Sequence, residues 1–279
     1  MHYSSAWVFG GSAHAFLINI HEHLCPSGPY CWKYETFFRL VRNLGISTTD
    51  LGFFSAESTP EERLKVEEAL KRNIDAGNPC SLLNMENQLI SGYDDTHFIV
   101  QQPWPEVDLP ITPKTLTFKT WKEMKNEIHI SLFTFAKTEK ADDATIIRDS
   151  LSSAVDIAKN PDRWRLKHYH TGLKAYDAWI QAVKDNFGPS HGNWWNGMVW
   201  HECREMASAY FAEIASKYPG DISAKAKELS RQYENVAQLL NKAKEKDLAD
   251  AKKIERLQGA QEAEELCIIG IEEFLRIFG

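Results

Sequence analysis

The chain has no Cys-x-x-Cys pair, no apolar run near the ~18 residues of a membrane span, and no Lys/Arg block in its first half. The second absence argues against a membrane partner. The third, with a net charge of −7, argues against a nucleic-acid footprint. The opening MHYSSAWVFGGSAHAF has no basic region ahead of an apolar stretch, so no secretory signal is expected. The five cysteines (Cys25, Cys31, Cys80, Cys203, Cys267) are scattered and odd in number, which predicts reduced thiols in a cytoplasmic protein. No internal repeat or low-complexity tract is present.

What the chain does have is length and aromatic mass. Its 279 residues suffice for one large or two ordinary domains. Nine Trp and fourteen Phe supply a substantial core or an aromatic-lined pocket, with core the expected use.

The hydropathy pattern divides near residue 138. Ahead of it, Ser12–Leu24 places Phe16, Leu17, Ile20 and Leu24 on one helical face, and Trp32–Leu44 forms a second helix ended by Gly45. Thr59-Pro60-Glu61-Glu62 predicts a capped helix start, with Pro60 at the first helical position and Gly77 at the stop. Pro79–Leu83, Gln88–Tyr93 and Phe98–Val100 read as strands, the last two joined at Asp94-Asp95. Pro103, Pro105, Pro110 and Pro113 predict a rigid loop, and Ile128–Phe135 a further strand.

Beyond the polar Thr138–Asp143 connector everything reads as helix, including a heptad-like rhythm through Ala226, Leu229, Tyr233, Val236 and Leu240. The expectation is an α+β fold, with an α+β domain over 1–138 and an all-helical domain over 139–279. The charged run Lys242–Gln258 is compatible with a solvated helix face, an exposed turn or an assembly surface between copies of the chain.

Several residue groups suggest chemistry. Gly10-Gly11-Ser12 ahead of a helix suits backbone approach to a ligand, with a helix N-terminus as oxyanion site and Ser12 as nucleophile; Ser12 as a plain N-cap is the alternative. His21-Glu22-His23-Leu24-Cys25, with His14 two helical turns earlier, packs candidate metal ligands. Two histidines one residue apart on a helix diverge by about 200°, however, and the motif fits neither H-E-x-x-H nor a Cys/His zinc pattern. No metal or other cofactor is expected. In the helical half, His168, His170, Trp194, Trp195 and His201 suggest an aromatic-walled pocket for a polar small molecule, or simply a helix–helix core.

The order of these motifs carries a family resemblance. A Gly-Gly-Ser helix start, then helices, a strand after a Gly-x-Pro turn, and a strand ending Gly92-Tyr93-Asp94-Asp95 resembles the papain-like fold. The chain is similar to the bacteriocin-processing double-glycine peptidases and, more closely, to the butirosin biosynthesis protein H-like family. Thr171–Trp179 in the helical part adds to the likeness. The resemblance implies acyl transfer from a carrier-protein thioester to a small amine, or Cys–His hydrolysis, with a small-molecule substrate and an acyl-carrier protein as partners. Where those families place a nucleophilic Cys this chain has Ser12. Where they place a His it reads Asn84-Met85-Glu86-Asn87-Gln88.

Three expectations follow, two of them leading. One is an acyltransferase or amidohydrolase with Ser12 and Glu86 catalytic and Gly10, Gly11, His14 and Gln88 binding substrate. The other is a catalytically silent small-molecule-binding protein. A third, weaker one is a metal-dependent hydrolase using His14, His21 and Cys25. The sequence leaves homo-oligomer formation open.

Overall fold

The computed structural model describes residues 3–84, 86–103, 114–125 and 129–279. The expected loop prolines Pro105, Pro110 and Pro113, and Ile128, lie outside the described residues.

In chain order the elements are α1 (Ser5–Gly11), β1 (Asn19–His21), α2 (Glu35–Asn43), β2 (Ile46–Ser55), α3 (Pro60–Asp75), β3 (Cys80–Asn84), β4 (Glu86–Tyr93), β5 (His97–Gln101), β6 (Thr115–Thr117) and β7 (His129–Lys137). Helices then dominate: α4 (Asp143–Lys159), strand β8 (Tyr169–Thr171), α5 (Leu173–Ala182), α6 (His191–Lys217), α7 (Gly220–Ala243) and α8 (Asp250–Phe278). The fold is mixed α and β, with an antiparallel sheet and a helical C-terminal region.

The chain divides into two compact units, but not at residue 138 alone. One unit joins Met1–Leu44 to Lys140–Gly279, and the other is Gly45–Glu139. The expected 1–138 domain is therefore corrected: its first 44 residues belong with the helices. The physical reason is burial. Trp7, Phe16, Leu17, Ile20 and Leu24 share one continuous core with Tyr176, Trp200, Phe211 and Tyr233.

The smaller unit is a six-stranded sheet in the order β2-β7-β3-β4-β5-β6, antiparallel throughout. Alternation puts Leu82, Ile90, Phe98, Ile130 and Leu132 on the face shared with Val66 and Leu70 of α3. The capping box is made in full: Glu62 N–H donates to Thr59 Oγ1 at 3.2 Å and Thr59 N–H to Glu62 Oε2 at 2.7 Å. Asp94 Oδ1 accepts from the N–H groups of Thr96 and His97, closing the β4–β5 turn. Strands β2 and β6 were not expected from the sequence.

In the larger unit the expected Ser12–Leu24 helix is replaced by a short helix, a turn and a strand. Ala13 sits at φ +62, which ends α1 and reverses the chain. β-Branched Ile20 then lies in β1, which pairs with β8 through Asn19↔Thr171, Ile20↔His170 and His21↔Tyr169. The four apolar residues assigned to one helical face are all buried, but by a different backbone. The charged Lys242–Gln258 run is not all solvated either. Lys253 is fully buried, its ammonium donating to the carbonyls of Lys246 and Leu248 at the start of α8.

Candidate functional site

Ser12 is the C-cap of α1, not the start of a helix. Its N–H is already bonded to Val8 O at 3.0 Å, its hydroxyl donates to Phe9 O at 3.2 Å, and the residue is buried. A helix C-terminus presents carbonyls and the negative end of the dipole, the wrong polarity for an oxyanion. Gly10 and Gly11 also have a packing reason. A Cβ on Gly10 would lie 2.1 Å from Tyr210 Cγ, and one on Gly11 2.9 Å from Ile146 Cγ2. These glycines admit neighbouring side chains rather than exposing backbone to a ligand.

Helical spacing would turn His14 away from Ser12, but the left-handed turn at Ala13 brings both to one narrow cavity. Its walls include Trp32, Phe37, Leu40 and Trp164, and its volume of about 10 Å³ is near the lower limit for a single water. His14 keeps some accessible surface, yet Phe9, Trp32 and Phe37 ring it at centroid distances of 5.4–5.6 Å. Burial first, and the charge of Arg204 second, lower its pKa to about 4. At neutral pH it is an uncharged imidazole whose Nδ1 has no hydrogen-bond partner among the described residues.

Glu86 and Gln88 belong to the smaller unit, so Ser12 and Glu86 sit in separate compact units. Glu86 opens β4 opposite Asn84. Gln88 is buried, its Oε1 accepting from Gln102 Nε2 at 2.8 Å.

The helical candidates separate as well. His201 Nδ1 lies 3.0 Å from Ala237 O and its Nε2 3.5 Å from Glu205, in the seam of α6 with α7. Trp194 and Trp195 cluster with His191 at the start of α6, with the Lys246 ammonium over the Trp194 ring. Beside them Lys244, Glu245, Lys246 and Asp247 line an open depression against Trp194.

His168 and His170 belong to a different assembly, the β1–β8 ribbon, which also carries His21, Glu22 and His23. The His21 ring lies 5.6 Å from His23, 6.5 Å from His168 and 5.1 Å from Tyr169, and His23 stacks on Phe187. Glu22 Oε1 is 3.1 Å from His168 Nδ1, and Glu22 N–H donates to His168 O. Desolvation lowers the His21 pKa. Glu22 opposes that shift, whereas His23, His168 and His170 add to it.

The sequence showed each histidine but not their convergence, because strand pairing joins positions about 150 residues apart. The ribbon is not preset for a metal. His21 Nδ1 accepts from His23 N–H at 3.1 Å, so Nε2 carries the proton in the neutral ring and offers no lone pair. Among the described residues, no three His, Cys, Asp or Glu side chains are placed to hold a metal ion. The expected grouping of His14, His21 and Cys25 as ligands is thus corrected.

No protein-family profile matches the chain, and no curated protein matches it. Among the described residues no helix is long and apolar enough to cross a membrane.

Proposed function

We propose that this chain is a small-molecule-binding protein, catalytically silent at Ser12, whose ligand is a small carboxylate held on the imidazole face of the β1–β8 ribbon. The observation that carries the silent reading is the setting of Ser12 at the C-terminal end of α1, with its hydroxyl committed to Phe9 O. A serine nucleophile needs an adjacent general base, and a tetrahedral intermediate needs N–H donors aimed at its oxygen. The end of α1 supplies carbonyls instead.

The ligand class follows from the crowding of His21, His23 and His168. Desolvation first, and the neighbouring imidazoles after it, disfavour the charged form of His21, and a bound carboxylate would favour it. Imidazole N–H groups and the adjoining Tyr169 and Phe187 rings supply donors and apolar walls.

A second reading, acyl transfer of the butirosin protein H type on a papain-like fold, has one observation in its favour. The Glu22–His168 contact is a carboxylate orienting an imidazole, which is how a general base is held.

Two measurements separate the readings. Calorimetric titration with a panel of small carboxylates at pH 6 and pH 8 is expected to show tighter binding at pH 6. That binding should be lost in His21→Ala/His168→Ala and unchanged in Ser12→Ala. Intact-mass spectrometry after incubation with acyl thioesters is expected to show no Ser12-dependent adduct. An adduct present in the wild type and absent from Ser12→Ala would overturn the silent reading.

A further inference from the structure

Cys25 and Cys31 bracket the loop CPSGPYC, and the fold pins both ends of it. Asn19 Nδ2 donates to Gly28 O at 2.7 Å and to Cys31 O at 3.0 Å. Asn196 Nδ2 donates to Cys25 O at 3.1 Å. Both asparagines are fully buried, and Thr171 Oγ1 donates to Asn19 Oδ1, holding that amide in one orientation. Gly28 is required between them: a Cβ there would fall 2.4 Å from Asn196 Oδ1. Inside the loop, Gly28 N–H bonds Cys25 O, and the N–H groups of Tyr30 and Cys31 both bond Ser27 O, which folds the seven residues back on themselves.

The two thiols meet one pair of hydroxyls. Ser27 Oγ donates to Cys25 Sγ at 2.9 Å and lies 2.8 Å from Tyr169 Oη. Burial first, and Cys31 and Cys25 after it, act on the Tyr169 hydroxyl to raise its pKa. Both thiols are partly exposed, whereas Cys80, Cys203 and Cys267 are buried and burial raises the pKa of each. The accessible pair is therefore set apart from the inert three by exposure, by a shared hydrogen-bonded cluster and by a clamped backbone.

We propose that Cys25 and Cys31 are a redox-active dithiol that closes to an intramolecular disulfide on exchange with a low-molecular-weight disulfide such as oxidised glutathione. The thiolate of one cysteine attacks a sulfur of the small disulfide, forming a mixed disulfide and releasing one glutathione thiol. The second cysteine attacks the protein sulfur of that mixed disulfide, forming the Cys25–Cys31 bond and releasing the second glutathione. Two protons and two electrons pass from the protein to the small disulfide, which is reduced to two thiols. Closure removes the Ser27 hydroxyl's thiol partner and leaves the Ser27 and Tyr169 hydroxyls hydrogen-bonded to each other.

The test uses the full chain, reduced, freed of reductant, exposed to oxidised glutathione and then alkylated. No Lys or Arg precedes Lys33, so both cysteines stay in one tryptic peptide. The expected result is loss of two hydrogens from that peptide, with no backbone fragments between residues 25 and 31 until reduction. Cys80, Cys203 and Cys267 should be alkylated only after unfolding. Cys31→Ser and Cys25→Ser should each trap a stable glutathione adduct on the remaining thiol, with circular dichroism checking that each variant is folded. Stable glutathione adducts on the wild-type thiols, or no reaction at either while the fold is intact, would overturn the proposal.

Discussion

Arg204 and Glu264 meet at 2.8 Å inside the helical unit, with neither side chain appreciably exposed. Arg204 Nη1 also donates to the carbonyls of Ala15 and Leu17, in the turn after α1, and Tyr176 donates its hydroxyl to Glu264. Burial works against the guanidinium charge, but Glu264, Tyr176 and Tyr233 together outweigh it and hold the Arg204 pKa above its usual value. Through these bonds Arg204 links the turn after α1 to α6 and α8, within the unit to which residues 1–44 belong.

Removing one partner should cost far more than a surface ion pair would. Arg204→Met leaves Glu264 buried without its cation and two carbonyls without a donor, and is expected to lose about 3–5 kcal/mol. Urea unfolding followed by tryptophan fluorescence reads this directly. The exposed pair Lys252–Glu255 serves as the comparison, and Lys252→Met should leave the midpoint nearly unmoved.

His14 gives the fold a specific pH dependence. Its pKa is lowered from 6.5 to about 4 in the folded chain, so the unfolded chain binds more protons between those values. Its contribution is fully present above pH 6.5, falls as pH drops towards 4, and is lost below that. The size is on the order of 3 kcal/mol. His14→Leu should flatten the stability profile between pH 6.5 and 4 relative to wild type, measured as urea midpoints at several pH values. Equal slopes would remove His14 as the source.

Short-range signals were the legible part of this fold. Thr59-Pro60-Glu61-Glu62 gave a helix start because capping chemistry is completed within three residues, and the Asp94-Asp95 turn is likewise local. Helix α7 followed from periodicity. What stayed hidden depended on distant partners. The 12–24 stretch has a helical apolar pattern, yet β8, some 150 residues on, recruits Asn19–His21 as a strand. The same pairing assembles the imidazole face and brings Tyr169 to Cys25 and Cys31, so no spacing rule within either segment marks the site. The Cys-x5-Cys spacing was visible, but nothing local to it distinguishes an accessible pair from buried thiols.

The glycines of α1 test packing against ligand approach. Gly10→Ala places a methyl group against the Tyr210 ring in a well-filled core, and overpacking of this kind costs about 1–3 kcal/mol or more. Gly77→Ala meets no neighbour but must adopt φ +75, at about 1 kcal/mol. Thermal unfolding should rank Gly10→Ala well below Gly77→Ala. If Gly10→Ala were as stable as wild type and altered only ligand binding, its role would be at the site and not in the core.

His168 combines strain with the proposed binding face. It sits at φ +67, a region glycine enters freely and a histidine only at roughly 1–2 kcal/mol. Its ring meets Glu22 Oε1 at 3.1 Å, an exposed contact that contributes little to offset that cost. The strain is then a feature of where the ring must point, not of what holds the fold together. His168→Gly relieves it but loosens the unfolded chain, so stability should stay level or rise by up to about 1 kcal/mol. Carboxylate binding at pH 6 should fall at least roughly tenfold, the loss of one charge-assisted hydrogen bond. His168→Ala keeps the strained backbone and loses the ring, so it should bind as weakly as the glycine variant while being less stable than it. Urea midpoints and calorimetric titration on the two variants separate the effects. A glycine variant less stable than the alanine one would mean that the left-handed turn is not under strain.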